Sequence, residues 1–116
     1  MNVYHCMIEL KSDAKALAFA AAVANWMGWL QSHGMIDDWR LMRRKFGLSS
    51  GAHNDFILEI TVTGLGQLDV AFAGLGQTDD DAGRLYDQMH QLIGTVAIGL
   101  YRPYPDAAYR ERIALI

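Results

Sequence analysis

Apolar residues recur along this chain in two rhythms. Over residues 56–62 (FILEITV) they alternate, with Phe56, Leu58, Ile60 and Val62 on one side and Ile57, Glu59 and Thr61 on the other, the pattern of a half-buried strand. Residues 3–10 (VYHCMIEL) are short and rich in β-formers and read as an earlier strand. Between them the spacing becomes helical: Ala16, Phe19, Ala20, Val23, Trp26, Met27 and Leu30 fall on one face. Ser12-Asp13 offers this helix an N-cap and an acidic first turn, and His33-Gly34 offers a stop, because glycine takes a left-handed cap without strain. Residues 38–46 (DWRLMRRKF) read as a second strand and 47–54 (GLSSGAHN) as a loop.

The second half repeats the plan. Gly64-Leu65-Gly66-Gln67 recurs as Gly74-Leu75-Gly76-Gln77, and the two copies bracket a short helix carrying Leu65, Leu68 and Phe72. Thr78 then caps a longer helix whose positive end is favoured by Asp79, Asp80 and Asp81. Leu85, Met89, Leu92 and Ile93 form its buried stripe and Gly94 ends it. Residues 95–102 complete the set as a strand with Val96, Ile98 and Leu100 on one face. Pro103 and Pro105 break the chain, and Asp106 caps a last segment over 107–116 whose apolar end, Leu115-Ile116, needs its own domain or a partner to lie against.

The order is strand, helix, strand, strand, helix, strand. It predicts an α+β domain over residues 1–102, a four-stranded antiparallel sheet with helices on one face, followed by a tail over 103–116. Tyr4, Cys6, Ile8, Leu10, Phe56, Leu58, Ile60, Val62, Val96, Ile98 and Leu100 are predicted to face the helices. The other face then presents Val3, His5, Met7 and Glu9, Asp55, Ile57, Glu59 and Thr61, and Ala97, Gly99 and Tyr101. Strand two stays open: either Trp39, Leu41, Arg43 and Lys45 or Arg40, Met42, Arg44 and Phe46 point away from the helices.

Composition narrows the function classes. At 116 residues the chain suits one core, and 52% apolar against 20% charged residues excludes a disordered chain. That apolar share is high for a small monomer and points to a partner surface. So does the outer face of the first helix, where Ala18, Ala21, Ala22, Asn25 and Trp29 carry no charge. A net charge of −3 disfavours bulk nucleic-acid binding, and residues 56–62 lack the aromatic-glycine pattern of an RNA-reading strand. The apolar stretch from Ala16 to Leu30 is too short to span a membrane, and no signal peptide is visible, so the cytoplasm is the default location. The single cysteine, Cys6, sits in an apolar strand and reads as a small core residue.

The candidate chemistry lies on the open face. In this topology strands one and three are central neighbours, which brings His5 beside Glu59. A carboxylate next to an imidazole raises its basicity and orients it as a general base requires. Glu9, Tyr101 and an arginine of strand two, Arg43 or Arg44, flank the pair as ligand-binding residues. The plain alternative is that His5 and Glu59 are a satisfied polar pair in an interface. The run Arg40, Arg43, Arg44, Lys45 reads either as a charged edge that discourages further pairing or as an anion site. Gly64-Leu65-Gly66 imitates half of a dinucleotide fingerprint, but Asp69 stands where the third glycine belongs and would repel a pyrophosphate. Histidines 5, 33, 53 and 90 show no metal-ligand spacing, and His90 falls off the apolar stripe. No cofactor and no metal are expected.

In the order of its elements, its length, its mixed open face and a second helix broken around Gly74-Gly76, the chain resembles the dimeric α+β barrel superfamily. These ferredoxin-like barrels include antibiotic-biosynthesis monooxygenases, muconolactone isomerases and the EthD and NIPSNAP groups. The resemblance covers residues 3–102 and is to an uncharacterised branch, so no catalytic residue is carried over. It implies a homodimer whose sheets meet face to face and enclose a cavity for a small, partly apolar, acidic or phenolic molecule, as in a cofactor-independent monooxygenase or isomerase. The alternative is a structural or interaction module without catalysis, in which the outer face of the first helix builds higher oligomers.

Overall fold

A computed structural model of the chain describes residues 1–45, 54–67, 69, 70 and 80–105. Among the described residues the element order is β1 (Asn2–Leu10), α1 (Ala16–Ser32), β2 (Asp38–Arg43), β3 (Phe56–Val62), α2 (Asp80–His90) and β4 (Ile93–Tyr101). The strands form one antiparallel sheet in the order β2-β3-β1-β4, so the predicted central pair is β1 with β3. The loop over 47–53, the second Gly-Leu-Gly-Gln copy, the Thr78 cap and the 106–116 tail lie outside the described residues.

The alternating pattern of β1 and β3 sorts their side chains as the sequence predicts. Cys6, Ile8, Phe56, Leu58, Ile60 and Val62 are buried against the helices, while His5, Met7, Ile57, Glu59 and Thr61 lie on the other face. From α1, Phe19, Ala22, Val23, Trp26, Met27 and Leu30 complete the core, and the Phe19 and Phe56 rings meet at 5.1 Å between centroids. Ala22 therefore belongs to the buried face rather than the outer one. Burying side chains of this size contributes about 1.5–3 kcal/mol each, and this layer carries the fold.

Four boundaries differ from expectation. No side chain caps α1: Ser12-Asp13 instead form a turn closed by the Ala14 N–H donating to the Lys11 carbonyl, and the helix starts at Ala16, behind Lys15. β2 stops at Arg43, where the sequence extends strand two to Phe46. α2 ends at His90, so Leu92 belongs to the turn and Ile93 and Gly94 already belong to β4. β4 begins there through a register shift opposite Glu9 and Leu10, a bulge that absorbs Gly94.

Both helices finish in the same way. At the end of α1 the His33 ring stacks on Trp29 at 3.9 Å and its Nδ1 bonds the Trp29 carbonyl at 2.8 Å. At the end of α2 the His90 ring stacks on Tyr86 at 3.7 Å and its Nδ1 bonds the Tyr86 carbonyl at 3.0 Å. An aromatic residue and a histidine four positions on share a helix face, and the histidine ring adds a further hydrogen bond to a carbonyl of the last turns, which at Trp29 also accepts the His33 backbone N–H and the Ser32 hydroxyl. Trp29 is thus half-buried, stacked between Trp26 and His33, rather than standing on a bare outer face. Gly34 follows α1 at φ +70°, in the left-handed conformation expected of it.

The helix layer does not cover the whole sheet. Val96, Ile98 and Leu100 lie in register with Ile8, Cys6 and Tyr4 on the helix side of β4, yet each is about half exposed. Among the described residues no helix is long and apolar enough to cross a membrane.

Candidate functional site

On the open face the register brings His5 directly opposite Glu59, with Gly99 opposite His5 on its other side and Arg40 opposite Glu59. His5 Nδ1 lies 3.7 Å from Glu59 Oε2, an ion-pair distance but longer than a hydrogen bond. Glu59 Oε1 instead accepts from Arg40, through Nε at 3.0 Å and also through Nη2. The Arg40 bonds hold the Glu59 carboxyl below the usual carboxylate range, and the nearby His5 adds to this. Tyr101 completes the group. Its ring meets His5 edge-on at 5.5 Å and folds across Gly99, where a Cβ would stand 2.8 Å from the ring.

The other sequence candidates lie elsewhere. Arg43 is on the helix side of β2, with its guanidinium 5.6 Å from the centre of the Phe56 ring, and does not reach the His5–Glu59 pair. Of the two orientations of strand two, the structure takes the one with Arg40 and Met42 outward, because Trp39 and Leu41 pack on the core. Glu9 accepts the Asp55 backbone N–H at 3.0 Å and so fastens the start of β3 to β1. Arg44 pairs with Asp55 at 3.4 Å.

A cavity of about 170 Å³ lies on the opposite side of the sheet, between strands and helices. Its floor is Tyr4, Cys6 and Ile8 of β1, Leu58 and Ile60 of β3, and Ile93, Val96 and Ile98 of β4. Its roof is Trp26, Met27 and Leu30 of α1 and Tyr86, Met89 and His90 of α2, with Ile36 at one side. The uncovered face of β4 is therefore one wall of a hollow. Among the described lining residues, side chains with strong hydrogen-bonding groups are Tyr4, Cys6, Trp26, Tyr86 and His90. Burial pushes the Cys6 thiol up to about 11 and raises the Tyr4 phenol as well, the latter helped by the neighbouring Cys6 and Tyr86. Both groups are neutral at ordinary pH. Lysine, arginine, aspartate and glutamate are absent from the described lining, so the hollow is largely apolar.

A cavity between layers depends on how helices sit on a sheet, and periodicity does not show it. His90 is placed by its spacing off the apolar stripe, yet α2 ends so that this residue borders the hollow. The one signal that could have found it is the aromatic-x-x-x-His spacing shared by Trp29 and His33 and by Tyr86 and His90.

Comparison with known proteins agrees with this architecture. A family model described as a family of unknown function, DUF6614, matches residues 1–116. The chain belongs to that family. No curated protein matches the sequence. Among solved structures, protein At3g17210 from Arabidopsis thaliana superposes with a TM-score of 0.70 at 9% identity, over 92% of this chain and 99% of that one. Hydroxynitrile lyase from Passiflora edulis gives 0.68 at 9% identity, over 90% and 94%. A dimeric ferredoxin-like protein of unknown function from Jannaschia sp. CCS1 gives 0.65 at 12% identity, over 89% and 100%. The chain is a ferredoxin-like α+β protein in an uncharacterised branch, as its resemblance to the dimeric barrels implies.

Proposed function

We propose that this protein is a homodimer that binds a compact, neutral, largely apolar molecule in the cavity between its sheet and its helices. The observation that carries the reading is the hollow itself: about 170 Å³, open along β4, lined by apolar side chains and a few polar ones, with no lysine, arginine, aspartate or glutamate among the described lining residues. A dry protein cavity of roughly 150 Å³ takes a benzene ring, so a single-ring molecule fits. Of the two ligand classes expected from the sequence, acidic and phenolic, the lining favours the phenolic one. A carboxylate here would be buried without a cation, which costs several kcal/mol, and Arg40 and Arg43 both lie outside the hollow.

The open face of the sheet supplies the dimer contact in this reading. It carries Val3, Met7, Met42, Ile57 and Ala97 around one compensated polar group, Arg40–Glu59–His5. Such a surface is more apolar than one that stays in water, and its central charges, Arg40 and Glu59, are paired. The dimeric Jannaschia protein of the same fold supports a homodimer, and the Passiflora hydroxynitrile lyase shows that this fold can carry small-molecule chemistry.

The test is thermal unfolding of the purified protein with and without phenol, benzyl alcohol and benzoate. A ligand at a hundred times its Kd stabilises by about 2.7 kcal/mol. The two neutral rings are expected to raise the Tm, and benzoate to leave it unchanged. Ile98→Trp, at the exposed margin of the hollow, is expected to remove the effect. An unchanged Tm with every neutral ring, or a shift that survives Ile98→Trp, overturns the proposal.

A second reading follows from the His5–Glu59 juxtaposition at 3.7 Å: the two act as a proton-transfer pair in a cavity between the facing sheets of a dimer. It predicts that His5→Ala abolishes ligand binding while the dimer survives. Unchanged binding in that variant assigns the pair to the interface.

A further inference from the structure

We propose that His90 is the hydrogen-bond acceptor of the cavity and that its Nε2 receives a ligand hydroxyl, so that the site selects a phenol over the same ring bearing a methyl group. This rests on the cavity being the ligand site.

The assignment begins with a carbonyl. His90 Nδ1 lies 3.0 Å from the backbone oxygen of Tyr86. A carbonyl oxygen can only accept, so Nδ1 carries the proton of the bond. In the neutral imidazole this leaves Nε2 as a lone-pair nitrogen. It sits on the edge of the ring furthest from its own backbone, while Nδ1 reaches back to the helix. Among the described residues Nε2 has no protein partner.

The ring is also held in place. It stacks on Tyr86 at 3.7 Å, and Tyr86 in turn meets Trp26 of α1 edge-on at 5.9 Å, so a row of three rings runs from one helix to the other along the roof of the hollow. The last turn of a helix carries partial negative charge and favours the Nδ1–H pointed at it. Position and tautomer are thus both set before a ligand arrives, the condition under which a hydrogen bond discriminates between ligands.

The remaining polar groups complement this acceptor. Cys6 keeps its proton through the neutral range, so its S–H is a donor rather than an acceptor. His90 borders the hollow, and a lone-pair nitrogen removed from water costs free energy until a donor reaches it. A methyl group cannot serve, and a hydroxyl can.

Binding of phenol and of toluene, measured by calorimetry on the dimeric protein, tests the proposal. Phenol is expected to bind about tenfold tighter than toluene, the scale of one net hydrogen bond. In His90→Phe toluene should bind as before and phenol should fall to the toluene level, while His90→Gln, which keeps an acceptor, should retain part of the preference. Toluene and phenol binding equally to the wild-type protein overturns the role of His90 and leaves the cavity standing. A phenol preference that persists in His90→Phe does the same. Binding of neither ring overturns both. The ¹⁵N spectrum of the unliganded protein gives a check that does not depend on any variant folding: His90 is expected as the Nδ1–H tautomer, and the Nε2–H form contradicts the assignment.

Discussion

His90 Nδ1 donates to the carbonyl oxygen of Tyr86 at 3.0 Å while the two rings stack at 3.7 Å, and this contact couples the end of α2 to the roof of the cavity. The same contact between His33 and Trp29 ends α1 in solvent. One local device thus serves two purposes: at both sites it anchors a histidine ring to the helix backbone, and at α2 it also fixes the orientation of a ring that borders the hollow.

Phe19 has no exposed surface and meets Phe56 across the helix–sheet seam. Phe19→Ala is expected to cost about 3–5 kcal/mol, the range for removing a buried phenyl ring and leaving a void. Denaturant unfolding checks this, and a loss below about 1 kcal/mol would mean that the seam collapses around the gap.

Cys6 titrates at about 11 because burial disfavours the thiolate. Its folded pKa is raised above the ordinary 9.0, so the stabilisation is fully present below pH 9 and is lost as pH rises toward 11. The Tm difference between wild type and Cys6→Ala should narrow over that window. At pH 8 the native thiol should react with a disulfide reagent far more slowly than the denatured one. Equal rates would place Cys6 at the surface.

Glu59 shows the opposite linkage. Its carboxyl is held below the ordinary value, chiefly by the Arg40 hydrogen bonds. The stabilisation is therefore present above the unfolded carboxylate pKa and disappears as pH falls through the folded one. Wild type should exceed Glu59→Gln in Tm at neutral pH, with the gap closing in acid. Arg40 is largely exposed, so Arg40→Ala alone should cost no more than about 1 kcal/mol. A gap that widens in acid contradicts the assignment.

Gly99 makes room for Tyr101 to lie against His5. Gly99→Ala places a methyl group where the ring now sits. Because Tyr101 is exposed and free to swing, stability should change by less than about 1 kcal/mol. The ring-current shift on the His5 imidazole protons should disappear. Its survival would mean that Tyr101 stacks by another route.

Much of the fold was legible because two strands obey strict alternation. Phe56, Leu58, Ile60 and Val62 declare their face, and Cys6 and Ile8 follow by pairing. Strand two could not be oriented, since arginine and apolar residues stand on both of its faces; Trp39 and Leu41 decide it only by packing on the core. The His5–Glu59 neighbourhood was legible from topology, and Arg40 was seen only as part of a charged run, because which arginine stands opposite Glu59 depends on register. The cavity was not legible. It arises where the helix layer leaves Val96 and Ile98 uncovered, and neither residue differs in sequence from an ordinary strand residue.

A methyl-detected NMR titration with phenol separates the two faces of the sheet most directly. Met27, Leu58, Met89 and Ile98 line the hollow, whereas Val3, Met7 and Ile57 lie on the open face. Binding between sheet and helices predicts ligand-dependent shifts confined to the first group. Shifts confined to Val3, Met7 and Ile57 would place the ligand on the other face and contradict the assignment of the cavity.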